Sequence, residues 1–193
     1  MKIRQLIILI SSFVLTCVLS FFIGYLVKKQ NTIDFSFIND EQPDKDYKYV
    51  FMNKQLSDYI CNLSYELDID SDLIVAILMA ENPEFNPDAV HKNDNGTIDC
   101  GLFQLNDKYL WTNFSKDYWV DGVELDPFNW KHNTFIAMHH INYLLDKLKV
   151  QEDAIMAYNC GIGAVMNGNV PDSTKVYLAK VKNNLILLKQ TNQ

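Results

Sequence analysis

Residues 70–81 read Asp-Ser-Asp-Leu-Ile-Val-Ala-Ile-Leu-Met-Ala-Glu, and no other stretch constrains the architecture as strongly. From Leu73 to Ala80 every residue is apolar. A helix with no polar face has to be surrounded by protein. Asp70 or Ser71 can cap its start by accepting a backbone N–H. Asn82-Pro83 ends it, because a residue before proline is pushed out of the α region. The last residue, Glu81, thus sits at the edge of a buried helix. Partial desolvation there raises a carboxyl's pKa and suits it to general acid work.

Outward from this helix the pattern stays helical. Asn53–Leu67 places Leu56, Ile60, Leu63 and Leu67 three or four residues apart, the spacing of one helix face. Asn129–Val150 predicts a long helix with Phe135, Met138, Ile141, Leu144, Leu145 and Leu148 on one side. Glu152–Asn159 begins another, broken by Gly161 and Gly163, and a last helix runs from about Ser173 to Leu188. Between Asn86 and Asn106 the Asn95-Gly96 pair signals a hairpin. The fold class expected is α+β, mainly α, with helices around one buried central helix and a small β-hairpin.

The chain has 193 residues, 48% of them hydrophobic and 21% charged, which suits one domain plus a targeting segment. Its net charge is −7, and all 24 acidic residues follow position 29. Such a surface repels a phosphate backbone, so nucleic acid is not expected as a partner. Leu6 to Val27 is free of charge, with Lys2 and Arg4 before it and Lys28 and Lys29 after it. As a helix it reaches about 33 Å, enough to cross the hydrocarbon core of a bilayer. Residues 1–29 are therefore expected to be an uncleaved membrane anchor through residues 6–27, with a cleaved signal peptide as the alternative. Residues 30–50 hold Pro43 among five acidic residues without periodicity and read as a linker. The folded domain is expected over 51–193, on the outer (periplasmic or extracytoplasmic) side of a bacterial membrane, or secreted if the signal is cleaved.

Cys17 belongs to the apolar segment, which leaves Cys61, Cys100 and Cys160. That odd number allows one disulfide and a free thiol, and spacing selects no pair. His91, His132, His139 and His140 lack zinc spacing, so neither a metal nor a cofactor is expected.

Beside Ala80-Glu81, two further blocks carry chemistry. In Gly101-Leu102-Phe103-Gln104-Leu105-Asn106 the glycine permits close backbone approach and the glutamine offers an amide. Ala157-Tyr158-Asn159-Cys160-Gly161-Ile162-Gly163 is a helix end with paired glycines and two polar side chains. In this order, with Phe85-Asn86-Pro87 after Glu81 and Pro171, Thr174 and Tyr177 at the end, the blocks resemble the SLT-type lytic transglycosylase domain of the lysozyme superfamily. The resemblance covers roughly residues 55–185 and implies a lysozyme-like fold.

It also implies cleavage of the β-1,4 bond between N-acetylmuramic acid and N-acetylglucosamine in peptidoglycan, forming 1,6-anhydromuramic ends. In that family one glutamic acid donates a proton to the leaving oxygen and then acts as base. The sugar's own C6 hydroxyl is the nucleophile. The resemblance gives the acid role to Glu81 and glycan contacts to Gln104, Tyr158, Asn159 and Tyr177. It departs in two places. Asn82 stands where the family has serine, and the stretch from Glu81 to Phe85 is one residue longer, which brings Glu84 forward as a rival acid.

Asn93 to Gly101, followed by Leu-Phe-Gln-Leu-Asn, also resembles the active-site hairpin of animal C-type lysozymes, which has an aspartate where Asp99 stands. Asp99 is thus a candidate second carboxylate. Paired carboxylates allow a lysozyme-type hydrolase using Glu81 and Asp99. The other reading is that Asp99 only braces the hairpin by bonding backbone amides. Tyr109, Trp111, Phe114, Tyr118 and Trp119 form an aromatic-rich stretch able to stack on sugars or to pack as a lid. A non-catalytic cell-wall-binding module within a cell-envelope assembly is the remaining alternative. It has no need of a desolvated acid.

Overall fold

Asn53 accepts the Gln55 N–H at 2.8 Å and opens helix α1, Lys54–Leu67, which ends on Asp68 in the left-handed conformation. Asp70 then accepts the Asp72 N–H at 2.9 Å and opens α2, Ser71–Glu81. These elements belong to a computed structural model that describes residues 47–112 and 125–191. The expected membrane segment, Cys17, most of the linker, and Phe114, Tyr118 and Trp119 lie outside the described residues. No helix among the described residues is long and apolar enough to cross a membrane.

As its sequence demands, α2 is enclosed. Ile74, Val75, Ala76 and Leu78 have no exposure at all, and Leu73 and Ile77 almost none. Each Leu, Ile or Val side chain buried in this way contributes about 1.5–3 kcal/mol relative to exposure. Packing reaches upstream of residue 51: Tyr49 is buried and donates its hydroxyl to Asp72 at 2.7 Å, while Lys48 pairs with the same carboxylate.

The β-element is larger than a hairpin. Strands β1 (Val90–Lys92), β2 (Ile98–Cys100) and β3 (Leu105–Asn106) form an antiparallel sheet in the order β1-β2-β3. Val90 pairs with Cys100, His91 and Asn106 flank Asp99, and Leu105 pairs with Cys100. The turn is also wider than a two-residue Asn-Gly turn. It closes from the Asn93 N–H to the Thr97 carbonyl, with Gly96 at φ 80°. A π-helical turn, Asp107–Trp111, follows β3.

Helix α3, Trp130–Leu148, is capped by Asn129 and packs on α1, where Tyr59 and Trp130 meet edge to face at 5.7 Å. Helix α4, Gln151–Cys160, turns through Gly161 (φ 85°) into the short α5, Ile162–Met166. Leu144, Ala154 and Ala157 bind α3 to α4, with Ile162 and Val165 of α5 packed against them. Helix α6, Asp172–Thr191, lies along both α2 and α4. Cys61, Cys100 and Cys160 are all free thiols, so no disulfide joins them.

Candidate active site

Glu81 is the last residue of α2, half-buried where the helix leaves the core. Burial pushes its pKa up to about 7; the negative charge of Asp99 adds to the rise, while Tyr177 and Lys180 oppose it. The group therefore exchanges its proton near neutrality, as a side chain able to act as either acid or base would.

Asp99 reaches this place from the middle strand. One carboxylate oxygen accepts from the Asn106 side-chain amide at 2.7 Å and the other from Asn93 at 3.0 Å. Both carboxamides also donate to Thr97 Oγ1, whose hydroxyl bonds Asn95. Asp99 is therefore held by side-chain amides, not by the backbone amides expected of a turn aspartate. Its two oxygens are oriented and its charge faces Glu81.

The Gly101–Gln104 turn is held from the far side of the fold. Asn133, fully buried on α3, accepts the Phe103 N–H at 2.9 Å and donates to the carbonyls of Cys100 (2.9 Å) and Pro127 (2.8 Å). Gly101, at φ 75°, lies so close to Asn133 and the Pro127 carbonyl that a Cβ would collide with both. Gln104, at φ 48°, donates its side-chain amide to the Gly101 carbonyl at 2.7 Å and the Ala89 carbonyl at 3.3 Å. Its nitrogen thus shapes the turn.

Tyr158 on α4 donates its hydroxyl to the Phe103 carbonyl at 2.8 Å. Burial and then the charges of Glu81 and Asp99 raise its pKa, so it remains a donor. Tyr177 on α6 is raised in the same way, by burial and then by Glu81. Its hydroxyl is buried without a hydrogen bond of standard geometry, yet it stands close enough to Glu81 to hold that carboxyl's pKa down. Asn159 is exposed and accepts from Thr174 Oγ1 at 2.7 Å, joining α4 to α6.

Glu81, Asp99, Tyr158 and Tyr177 are thus brought together, with Gln104 and Asn159 fixing the flanking turns. Glu84 is exposed on the loop after α2. The extra residue there is absorbed locally. Asn82 is buried and clasps the backbone N–H and carbonyl of Asn86, while Phe85 takes φ 52°. Two contributors escaped the sequence reading, Asn133 and Lys180. The only signal for Asn133 was an amide beside the apolar run from Phe135 to Met138.

An apolar central helix ending in a carboxyl of raised pKa, beside a small three-stranded sheet and a tyrosine-bearing final helix, makes a mainly α domain with one clustered set of titratable side chains. The sequence model of the transglycosylase SLT domain matches residues 58–176, and the chain belongs to that family. Among solved structures, the fold is similar to the 70 kDa soluble lytic transglycosylase Slt70 from Escherichia coli, with 19% identity and TM-score 0.59 over 72% of this chain and 26% of that one. It is also similar to an inactive glutamate-to-glutamine mutant of lytic transglycosylase Slt from Pseudomonas aeruginosa, with 17% identity and TM-score 0.57 over 69% of this chain and 24% of that one. The chain thus spans about a quarter of the length of these structures. No curated protein matches it by sequence.

Proposed function

We propose that this chain cleaves the β-1,4 bond between N-acetylmuramic acid and N-acetylglucosamine in peptidoglycan as a lytic transglycosylase, with Glu81 as its acid and base. The observation that carries this reading is the Glu81 carboxyl, held at the end of the buried α2 with its pKa near neutrality and faced by Tyr177 and Asp99. Protonated Glu81 donates to the glycosidic oxygen, and the 4-hydroxyl of N-acetylglucosamine leaves. The carboxylate so formed takes the proton of the C6 hydroxyl as that oxygen bonds to C1 of the muramic acid, closing a 1,6-anhydro ring. One residue serves both steps, as a pKa near the working pH allows. Gln104, Tyr158, Asn159 and Tyr177 line the glycan site, and no cofactor or metal takes part.

Asp99 supports a second reading. Its oriented carboxylate beside Glu81 is the pairing that a retaining hydrolase needs. Mass spectrometry of the fragments released from purified peptidoglycan separates the cases. Anhydromuramic ends are expected. Reducing ends would make the chain a lysozyme-type hydrolase, and no release would make it a wall-binding module. In this account residues 6–27 hold the chain in the membrane and the linker, ending before Lys48 and Tyr49 join the fold, stands the domain off toward the wall, at the cell envelope.

A further inference from the structure

The last turn of α2 is fastened to α6 by two long polar side chains. Lys180 Nζ donates to the Ala80 carbonyl at 2.5 Å, and Asn184 Nδ2 donates to the Ala76 carbonyl at 3.0 Å, one turn earlier. The Ala80 carbonyl belongs to the final turn, whose carbonyls have no partner within the helix. That end also carries the negative pole of the helix dipole, and Glu81 sits on it. A carboxylate there is opposed by the helix as well as by burial, so a cation at this place has a specific effect. Lys180 stands one turn beyond Tyr177 on the same helix, so the cation and the buried hydroxyl approach Glu81 together.

We propose that Lys180 is a positioning residue for glycan cleavage: it fixes the final turn of α2 against α6 and sets the charge under which Glu81 holds and releases its proton. The inference rests on Glu81 being the acid. The titratable and charged groups that face Glu81 are Tyr177 and Lys180 from α6, Asp99 from β2 and Tyr158 from α4. Asp99 is negative and the tyrosines stay neutral, so Lys180 is the one cation among these groups. Without it the carboxyl would keep its proton to higher pH. The acid would remain armed, but the carboxylate needed for the second proton transfer would be harder to form.

The experiment uses the full chain in detergent, as wild type, K180M, K180Q and K180R. Two quantities are followed against pH: kcat/KM for release of soluble fragments from purified peptidoglycan, and the carbon-13 NMR titration of the Glu81 carboxyl. In K180M the alkaline limb of kcat/KM and the Glu81 midpoint should move up together by about half to one pH unit, the size expected of a partly exposed charge pair. K180Q keeps a donor for the Ala80 carbonyl without the charge and should show the same shift, which covers the case in which K180M does not fold. K180R should titrate as the wild type does. A uniform loss of rate with an unmoved limb and midpoint, or a K180R shift as large as that of K180Q, would overturn the proposal. The control is E81Q. Wild-type cleavage by E81Q would remove the reading of Glu81 as the acid, a failure distinct from that of Lys180.

Discussion

The Tyr158 hydroxyl donates to the Phe103 carbonyl at 2.8 Å, across 55 residues of sequence. This bond ties the Ala157–Gly163 block to the Gly101–Gln104 turn, so two motifs that read separately along the chain share one rigid wall beside Glu81. Tyr158→Phe keeps the ring and its packing against His140 but leaves the carbonyl unpaired. The cost should be about 1–2 kcal/mol, the usual effect of stranding a buried acceptor. Because the turn then loses its orientation, kcat should fall roughly tenfold. Urea unfolding and steady-state kinetics on the same preparation check both, and an unchanged kcat would mean that the bond is only structural.

Asn133→Leu tests the other support of that turn. It strands the Phe103 N–H and the Cys100 and Pro127 carbonyls in the interior. A loss of about 2–4 kcal/mol is expected from several unsatisfied backbone groups. A drop below about 1 kcal/mol in the urea midpoint analysis would show that the turn relaxes without its amide.

The contrast between these two residues shows what the sequence could reveal. Helix α2 was legible because eight successive apolar residues permit one environment, and its cap and stop lie within the fourteen residues from Asp70 to Pro83. Glu81 and Asp99 were legible through the motifs around them. Strand β3 was not, because Leu105-Asn106 is too short for an alternation to show. Asn133 acts on groups 30 and 33 residues upstream, and Lys180 on a carbonyl 100 residues away. Such partners follow only from the packed fold. The left-handed turn at Phe85 likewise depends on the buried Asn82 clasp.

Stability should depend on pH in two separate windows. Glu81 is raised from 4.5 to about 7, so its favourable contribution is fully present below pH 4.5 and is lost as the pH rises to 7. His139 and His140 are lowered by burial from 6.5 to about 4, so their contribution is present above pH 6.5 and is lost as the pH falls to 4. Glu81→Gln should therefore stabilise the domain at about pH 8 by roughly 1–3 kcal/mol, with no gain at about pH 4. Chemical denaturation at the two pH values decides this. Equal effects at both would show that the carboxyl is not desolvated in the native state.

The N-terminal proposal stands on the length of its apolar run. Mass spectrometry of the protein recovered from native membranes should find the segment 6–27 retained. A mature chain starting near residue 21 or 25 would identify a cleaved signal instead.

Asp99→Asn separates the two chemistries by rate as well as by product. If the C6 hydroxyl is the nucleophile, cleavage should fall less than about tenfold, because Asp99 then contributes only charge near Glu81. A loss of several orders of magnitude, with reducing ends from the wild type, would assign Asp99 the second carboxylate's role.

The central claim concerns which carboxyl moves the proton, and Glu81→Gln set beside Glu84→Gln measures it most directly. Glutamine preserves the size and hydrogen-bonding shape of Glu81 but cannot transfer a proton. With purified peptidoglycan, Glu81→Gln should release no fragments while still folding and still cosedimenting with the glycan. Glu84→Gln, altered on an exposed loop, should release anhydromuramic products at most of the wild-type rate. Activity that survives Glu81→Gln and disappears with Glu84→Gln would contradict the account and move the acid three residues along the chain.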